Sequence, residues 1–117
     1  MFVKRDGTLW ALGANRKGEL GDGTTTPRTV PVQVATDVVA VAAGGGAFNL
    51  SPDQKDGHTL FVKRDGSLWA MGSNSAGQLG DGTIINRKSP VQVASHVVAV
   101  SAGDRFSLFL REDGTLW

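Results

Sequence analysis

The chain has few residues that could do chemistry, and their spacing does not assemble a catalytic set. His58 and His96 are its two histidines, and it contains no cysteine. Two imidazoles without thiolates or arranged acidic partners are too few ligands for a zinc site. Serine, histidine and aspartate all occur, but no strained nucleophile elbow surrounds any serine. We predict no catalytic residue, no metal site and no cofactor, and we expect His58 to make a structural hydrogen bond.

Two glycine-rich segments have a composition similar to that of a phosphate-binding loop. They are Gly18–Thr24 (GELGDGT) and Gly77–Thr83 (GQLGDGT). A phosphate-binding loop ends in Lys followed by Ser or Thr, and it opens a helix whose N-terminus faces the anion. Neither segment has that ending, and no helical pattern follows. The sequence instead predicts a structural turn in which the aspartate accepts hydrogen bonds from backbone N–H groups.

A third segment, Ser51–Gly57 (SPDQKDG), places two aspartates near a glycine. Calcium-binding loops alternate their acidic ligands and end in a glutamate, which is separated from the glycine of the loop by five residues. This segment does neither, so the sequence predicts no calcium site here.

The overall composition is that of a globular protein without a bias toward polyanions or membranes. Hydrophobic residues make up 40% of the 117 residues, and the formal net charge is +1. A nearly neutral chain creates no field that would concentrate nucleic acid. The first residues lack an apolar stretch of signal-peptide length, and no run approaches the roughly 20 apolar residues of a membrane helix. We expect neither nucleic acid nor a membrane as partner, and the compartment stays undetermined.

The dominant feature of the sequence is an internal repeat. At an offset of 59 residues, Phe2–Gly44 aligns with Phe61–Gly103, and 29 of 43 positions are identical. A partial third copy begins at Phe109, 48 residues after Phe61, so the true period is 48. We divide this single domain, residues 1–117, into copies at 2–60, 61–108 and 109–117, the first enlarged by an insertion at 45–57. A period near fifty residues is typical of units that stack on neighbouring copies to bury their faces.

Each copy is predicted to contain a β-hairpin. In the second copy, the extended runs His58–Lys63 and Ser67–Met71 flank Asp65-Gly66. Asp-Gly between two such runs predicts a type I′ turn, because both residues tolerate a positive φ. The same pair recurs as Asp6-Gly7 and Asp113-Gly114, which indicates three hairpins of one design.

Two further strands complete each unit. Val38–Ala43 and Val97–Ala102 are continuous apolar runs, which predict strands buried on both faces where units converge on an axis. The runs Pro31–Val34 and Pro90–Val93 are predicted to be short strands whose leading proline suits a sheet edge or a strand start. Four short antiparallel strands in about 48 residues predict an all-β fold made of β-propeller blades. A β-sandwich is the alternative, although sandwiches seldom repeat their sequence so faithfully.

Aromatic and charged residues also recur at fixed positions. Equivalent tryptophans occur in all three copies: Trp10, Trp69 and Trp117. They are expected to pack between blades and not to form a ligand platform. The charged pairs beside each turn, interpreted as a solvated rim, are Lys4-Arg5, Lys63-Arg64 and Arg111-Glu112. Since one member becomes a glutamate in copy three, the pairs do not form a track for phosphate groups.

The string HTLFVKRDGSLWAMGSNSAGQLGDGTIINRKSPVQV, from His58 to Val93, resembles the repeat of the regulator of chromosome condensation family in its bacterial form. The resemblance covers the chain apart from the insertion, and the combination G-x-N-x-x-G-Q-L-G-D-G-T is specific to that family. It implies a propeller of usually seven blades that binds proteins through its loops and faces. Eukaryotic members include a nucleotide-exchange factor for a small GTPase that also contacts chromatin, and a bacterial relative inhibits β-lactamases. Their partner-specific residues lie in variable loops, so none is carried over to this chain.

The sequence contains about two and a half blades, and a propeller closes with about four to eight. Unclosed blades leave apolar faces bare, which favours association. We expect these residues to be part of a longer chain, because both ends fall inside the same hairpin motif. The alternative is a ring of several identical chains. The expected partners are accordingly a protein, further blades of the same chain, or other copies of it.

Recognition is expected where the copies differ, because loops on a rigid scaffold usually carry binding residues. Three differences lie in predicted loops: Arg16-Lys17 against Ser75-Ala76, Thr25-Thr26-Pro27 against Ile84-Ile85-Asn86, and the insertion at 45–57. The candidate partner-binding residues are Phe48, Asn49, Asp53 and Lys55 in the insertion, together with Arg16, Lys17, Ile84 and Ile85. The favoured function is a non-catalytic, protein-binding propeller scaffold. The alternatives are an accessory module of a larger cell-surface or carbohydrate-acting enzyme, a self-assembling oligomeric propeller, and a repeat whose one partner is the next blade.

Overall fold

The computed structural model of the chain describes residues 1–45 and 57–117. Within these ranges the chain forms nine strands joined by turns, and no helix that could cross a membrane is found there. The strands are β1 (Phe2–Val3), β2 (Leu9–Gly13), β3 (Arg28–Ala35), β4 (Val38–Gly44), β5 (His58–Lys63), β6 (Leu68–Gly72), β7 (Arg87–Ala94), β8 (Val97–Ala102) and β9 (Ser107–Arg111).

The described strands form three antiparallel sheets, which confirms the predicted all-β fold. The first sheet has the order β1-β2-β3, the central sheet β4-β5-β6-β7, and the third sheet β8-β9. An isolated bridge between Leu110 and Leu116 extends the third sheet by the start of another strand. The proline-containing strands β3 and β7 lie at sheet edges, as expected from Pro31 and Pro90. The central sheet runs from Val38 to Ala94 and therefore takes its strands from two sequence copies.

The hairpins have a different turn from the one expected. Gly66 has φ of 83°, but Asp65 is not among the residues with positive φ, so the predicted type I′ turn is wrong. The Gly66 N–H donates to the Lys63 carbonyl (2.9 Å), and the Lys63 N–H donates to the Ser67 carbonyl (2.9 Å). The connection is thus a three-residue loop closed by a left-handed glycine, a common hairpin alternative. The loop contains Arg64 in addition to Asp65 and Gly66, and this extra residue distinguishes it from a two-residue turn.

The aspartate of this turn has a second role that explains the recurring pattern D-G-[ST]-L-W. Asp65 Oδ1 accepts hydrogen bonds from the Ser67 hydroxyl (2.6 Å) and the Ser67 N–H (2.9 Å). These bonds, the hydroxyl bond foremost, hold the pKa of Asp65 below its ordinary value of 3.8. Ser67 Oγ in turn accepts from Trp69 Nε1–H (2.9 Å). The same chain of bonds recurs in the other hairpins, through Asp6, Thr8 and Trp10 and through Asp113, Thr115 and Trp117.

The tryptophan rings are covered by the cations that the sequence interpretation assigned to a solvated rim. Lys63 Nζ lies 5.1 Å from the centre of the Trp69 ring, and Lys4 Nζ lies 4.4 Å from that of Trp10. The Arg111 guanidinium lies 4.9 Å from the Trp117 ring. One member of each charged pair therefore makes a cation–π contact, which the solvated-rim interpretation missed.

The hydrophobic core lies between the sheets, as stacked blades require. One cluster joins Leu9 of the first sheet to Val38, Phe61 and Met71 of the central sheet. Trp69 packs against this cluster, as expected, whereas Trp10 and Trp117 belong to neither cluster and Trp117 is 58% exposed, so the expected packing between blades does not hold for all three tryptophans. A second cluster joins the other side of the central sheet to Val97 of the third sheet; its further members are Leu60, Val62, Leu68, Ala70 and Leu79.

The strands expected to be buried on both faces are buried only in part. Val38 and Val97 are 2% and 3% exposed, but their neighbours Val39 and Val98 are 57% and 54% exposed. The reason is local: β4 and β8 stand at sheet edges, and Val39 and Val98 lie at register irregularities of these strands, between Val38 and Ala40 and between Val97 and Ala99.

Candidate functional site

The two glycine-rich segments form the most elaborate polar structures in the described part of the chain. We call residues 13–27 the first loop and residues 72–86 the second loop. At the centre of the second loop, the Asn74 side chain is fully buried. Its Nδ2 donates to Asp81 Oδ1 (3.0 Å), to the Thr83 carbonyl (3.0 Å) and to the Ile85 carbonyl (3.1 Å). Its Oδ1 accepts from the Leu79 N–H (3.0 Å), so one amide fixes four points of the loop.

The first loop repeats this network residue for residue. Asn15 is also fully buried, and it bonds the corresponding groups: Asp22, the carbonyls of Thr24 and Thr26, and the Leu20 N–H. The sequence interpretation did not single out either asparagine. The signal was available, because N-x-x-x-x-L-x-D occurs at the same spacing in both copies.

The loop aspartates act as predicted, as acceptors of turn hydrogen bonds. Asp81 Oδ1 accepts from the Thr83 N–H (2.9 Å) and the Thr83 hydroxyl (2.7 Å), and its Oδ2 lies 2.9 Å from Arg87 Nε. Burial acts to raise the pKa of Asp81, but the bonds from Thr83, Arg87 and Asn74 outweigh it and lower the pKa to about 2. The corresponding bonds from Thr24, Arg28 and Asn15 outweigh burial and lower the pKa of Asp22 to about 2 as well.

These two aspartates predict the acid response of the fold. A folded pKa below the ordinary value of 3.8 adds stability that is fully present above that value and is lost as the pH falls toward about 2. We expect the free energy of unfolding to fall steeply between about pH 4 and pH 2. Asp81→Asn should be less stable at pH 7 and should flatten this slope, which urea titrations at several pH values would measure. The unmodified chain is the reference, and an unchanged slope in Asp81→Asn would contradict the assignment.

The first loop is docked on the central sheet. The Gly23 N–H donates to the Lys88 carbonyl of β7 (2.9 Å), and the Thr59 hydroxyl of β5 donates to the Glu19 carbonyl (2.9 Å). A Cβ placed on Gly18 would lie 2.7 Å from the Lys88 Cβ and 2.9 Å from its backbone N. The Gly18 φ of +85° also favours glycine. The contact between the two blades therefore requires glycine at this position.

The second loop is docked in part. The Ser107 hydroxyl of β9 donates to the Gln78 carbonyl (2.6 Å), which reproduces the bond between Thr59 and Glu19. In contrast, a Cβ placed on Gly77, Gly80 or Gly82 would meet no heavy atom of the described residues within 4 Å. The part of the second loop that corresponds to the Lys88 contact of the first loop is thus open.

The structure places half of the predicted partner-binding residues. Arg16 is exposed and Lys17 is half-buried in the first loop, where the Lys17 N–H donates to Glu19 Oε2 (2.7 Å). Ile84 and Ile85 of the second loop are 72% and 59% exposed. These four residues belong to corresponding loops of two neighbouring sheets. The other four predicted residues, Phe48, Asn49, Asp53 and Lys55, lie outside the described residues.

The histidine and acidic side chains of the described residues do not cluster. Among them, no three side chains of His, Cys, Asp or Glu come together in a way that could hold a metal ion. His58 is 1% exposed and its Nε2 lies 3.0 Å from Ser107 Oγ, which confirms the structural hydrogen bond expected for it.

Comparison with known proteins gives a consistent result. The family model of the regulator of chromosome condensation (RCC1) repeat matches residues 6–47 and 65–110. The chain is 30% identical over 123 residues to the human E3 ubiquitin-protein ligase HERC2, covering 98% of the chain and 2% of HERC2. It is 30% identical to human protein RCC2, covering 100% of the chain and 22% of RCC2. It is 33% identical to rat alsin, covering 87% of the chain and 6% of alsin.

The chain therefore spans less than a quarter of the length of each of these three relatives. All three come from animals, so they give no support to the expectation of a bacterial form. Among solved structures, human WBSCR16 matches with a TM-score of 0.79 at 21% identity, covering 98% of this chain and 29% of that one. This likeness confirms the predicted blades of a β-propeller.

Proposed function

Because the chain belongs to the regulator of chromosome condensation repeat family, we propose that it is a non-catalytic propeller segment that binds a protein partner through its loops. Proteins with this repeat are commonly protein-interacting modules. The ligase named among the relatives is matched over 2% of its length, within its repeats, so ligase chemistry is not part of the proposal.

The observation that carries the proposal is the exposure of Ile84 and Ile85. Exposed isoleucines next to each other are costly unless a partner covers them, since burial of apolar surface is worth about 25 cal/mol per Å². The corresponding residues of the first loop are Thr25 and Thr26, so the copies differ here from polar to apolar.

A docked blade would not cover this pair. The first loop has its neighbouring blade in place, with Gly18 and Gly21 packed against Lys88 and Met71, and yet Thr25 and Thr26 remain exposed. By the correspondence of the loops, Ile84 and Ile85 stay exposed when another blade docks on the second loop. Their side chains are therefore available to a different partner, one with an apolar surface.

The test exchanges the pair for the residues of the first loop. Ile84→Thr together with Ile85→Thr should leave the fold intact, because Thr25 and Thr26 occupy the same loop positions. We expect partners captured by the unmodified chain to bind the double variant at least tenfold more weakly, about 1.4 kcal/mol, when each partner is purified and titrated.

The matched control is Val30→Thr, which changes another exposed apolar residue, 69% exposed, on the edge strand β3. It should bind like the unmodified chain. Equal affinity of the double variant and the control for every purified partner would overturn the role of the second loop.

A second candidate function, docking of a further blade, is supported by the open glycines of the second loop. Gly77 and Gly80 correspond to Gly18 and Gly21, which are packed against the neighbouring blade. The blade could come from the same chain or from another copy. This proposal concerns a different part of the loop and is compatible with the first.

A further inference from the structure

His58 occupies a buried position between the central and third sheets. It is the first residue of β5, and its ring lies against β4: a Cβ placed on Gly44 would be 2.8 Å from His58 Cε1 and in contact with the Gly103 carbonyl. The ring is 1% exposed, and its Nε2 faces Ser107 Oγ at 3.0 Å. The imidazole thus bridges two blades.

The hydrogen bonds of Ser107 determine which nitrogen of His58 carries the proton. The single hydroxyl hydrogen of Ser107 is donated to the Gln78 carbonyl at 2.6 Å. Ser107 Oγ therefore accepts from His58, and His58 Nε2 must be the N–H donor. In the neutral ring Nδ1 then carries the lone pair, and this buried atom has no hydrogen-bond partner among the described residues.

A second proton on His58 would have to go to Nδ1 and would place a charge inside the contact. Three of the strands around the ring, β4, β6 and β8, contain no ionisable residue. The turn between β8 and β9 contains Asp104 and Arg105, and Glu19 of the first loop lies beside Gly57, the residue before His58. Burial lowers the pKa of His58 below its ordinary value of 6.5; the Phe106 carbonyl and Asp104 act to raise it but do not compensate.

We infer that the contact between the central and third sheets loosens on acidification, with His58 as the proton acceptor. Because the folded chain holds the neutral ring, stability is full above the ordinary pKa of 6.5 and is lost as the pH falls below it. The loss should be local, since Ser107, the hydrogen-bond partner of the ring, and the turn around Phe106 belong to the third sheet. The inference does not depend on which partner the loops bind.

Hydrogen exchange of the 117-residue chain tests this directly. Between pH 7.5 and pH 5.0 we expect the protection factors of the β9 amides, corrected for the intrinsic exchange rate, to fall at least tenfold relative to those of β2. His58→Gln keeps an N–H donor for Ser107 and cannot gain charge, so it should abolish the fall. His96→Asn, at a histidine whose side chain is 77% exposed and whose φ of 56° asparagine tolerates, should preserve it.

Two outcomes would overturn the inference: an equal fall in His58→Gln, or no fall in the unmodified chain. If His58→Gln fails to fold, an NMR titration of the unmodified chain replaces it. The ring of His58 should then titrate below pH 6.5, and a midpoint at or above 6.5 would be decisive against the inference.

Discussion

Replacing Asn74 by alanine is expected to remove about 3 to 5 kcal/mol of stability, a large part of the total for a chain of this size. The substitution deletes four hydrogen bonds at once: those of the Asn74 side chain with the Asp81 carboxylate, the Thr83 and Ile85 carbonyls and the buried Leu79 N–H. A buried polar group that loses its partner costs about 1 to 3 kcal/mol, and groups of one network are coupled. The loss thus exceeds that of a typical surface mutation.

The measurement is urea unfolding followed by tryptophan fluorescence, with Asn86→Ala as the matched control. Asn86 Oδ1 accepts one hydrogen bond, from the Asn74 N–H (2.8 Å), and the first loop has Pro27 at the same position and forms without that bond. We expect Asn86→Ala to cost about 1 kcal/mol. If Asn74→Ala and Asn86→Ala were equally stable, the Asn74 side chain would not be the centre of the hydrogen-bond network in the second loop.

Gly18→Ala is expected to cost about 3 kcal/mol, against about 1 kcal/mol for Gly77→Ala. Both glycines have left-handed backbone, with φ of +85° and +75°, so both variants carry the same backbone penalty. Only at Gly18 would the new methyl group collide with the neighbouring blade, and it would meet the backbone of Lys88, which cannot rotate away. The difference between the variants measures the blade contact alone.

Thermal and urea unfolding of the two alanine variants and the unmodified chain give this difference. Because the variants share residue type and turn geometry, errors in the reference state largely cancel. A difference near zero would mean that the first loop is not packed against β7 in solution. A larger loss of stability in Gly77→Ala than in Gly18→Ala would mean that the second loop, and not the first, is packed against a neighbouring blade.

The repeat made the architecture accessible from sequence alone. A period of 48 residues, Asp-Gly between extended runs and edge prolines were enough for an all-β fold of four-stranded units, and β5 was predicted with the bounds it has. The turn type was predicted wrongly, because the preference of Asp-Gly for type I′ was applied to a connection that also includes Arg64. The number of loop residues decides between a two-residue type I′ turn and a three-residue loop closed by a left-handed glycine. That number changes if a strand ends one residue earlier or later.

Side-chain networks were harder to foresee. Asn74 and Asn15 are polar residues in glycine-rich loops, where a surface position is the usual expectation, and their burial depends on backbone carbonyls that no residue type reveals. The bridge from His58 to Ser107 joins residues 49 apart in sequence, and only the stacking of blades brings them together. For Ile84 and Ile85 the comparison of copies was informative, because it showed a polar-to-apolar change at a loop position.

The offset between sequence copies and sheets matters for anyone who wishes to excise a minimal piece of this protein. A cut between residues 60 and 61, where one copy gives way to the next, would split β5 and remove three of the six register pairs between β4 and β5. Trimming to Val38–Ala94 would instead preserve every rung of the central ladder. The repeated sequence copy and the folded sheet are therefore different stretches of the chain.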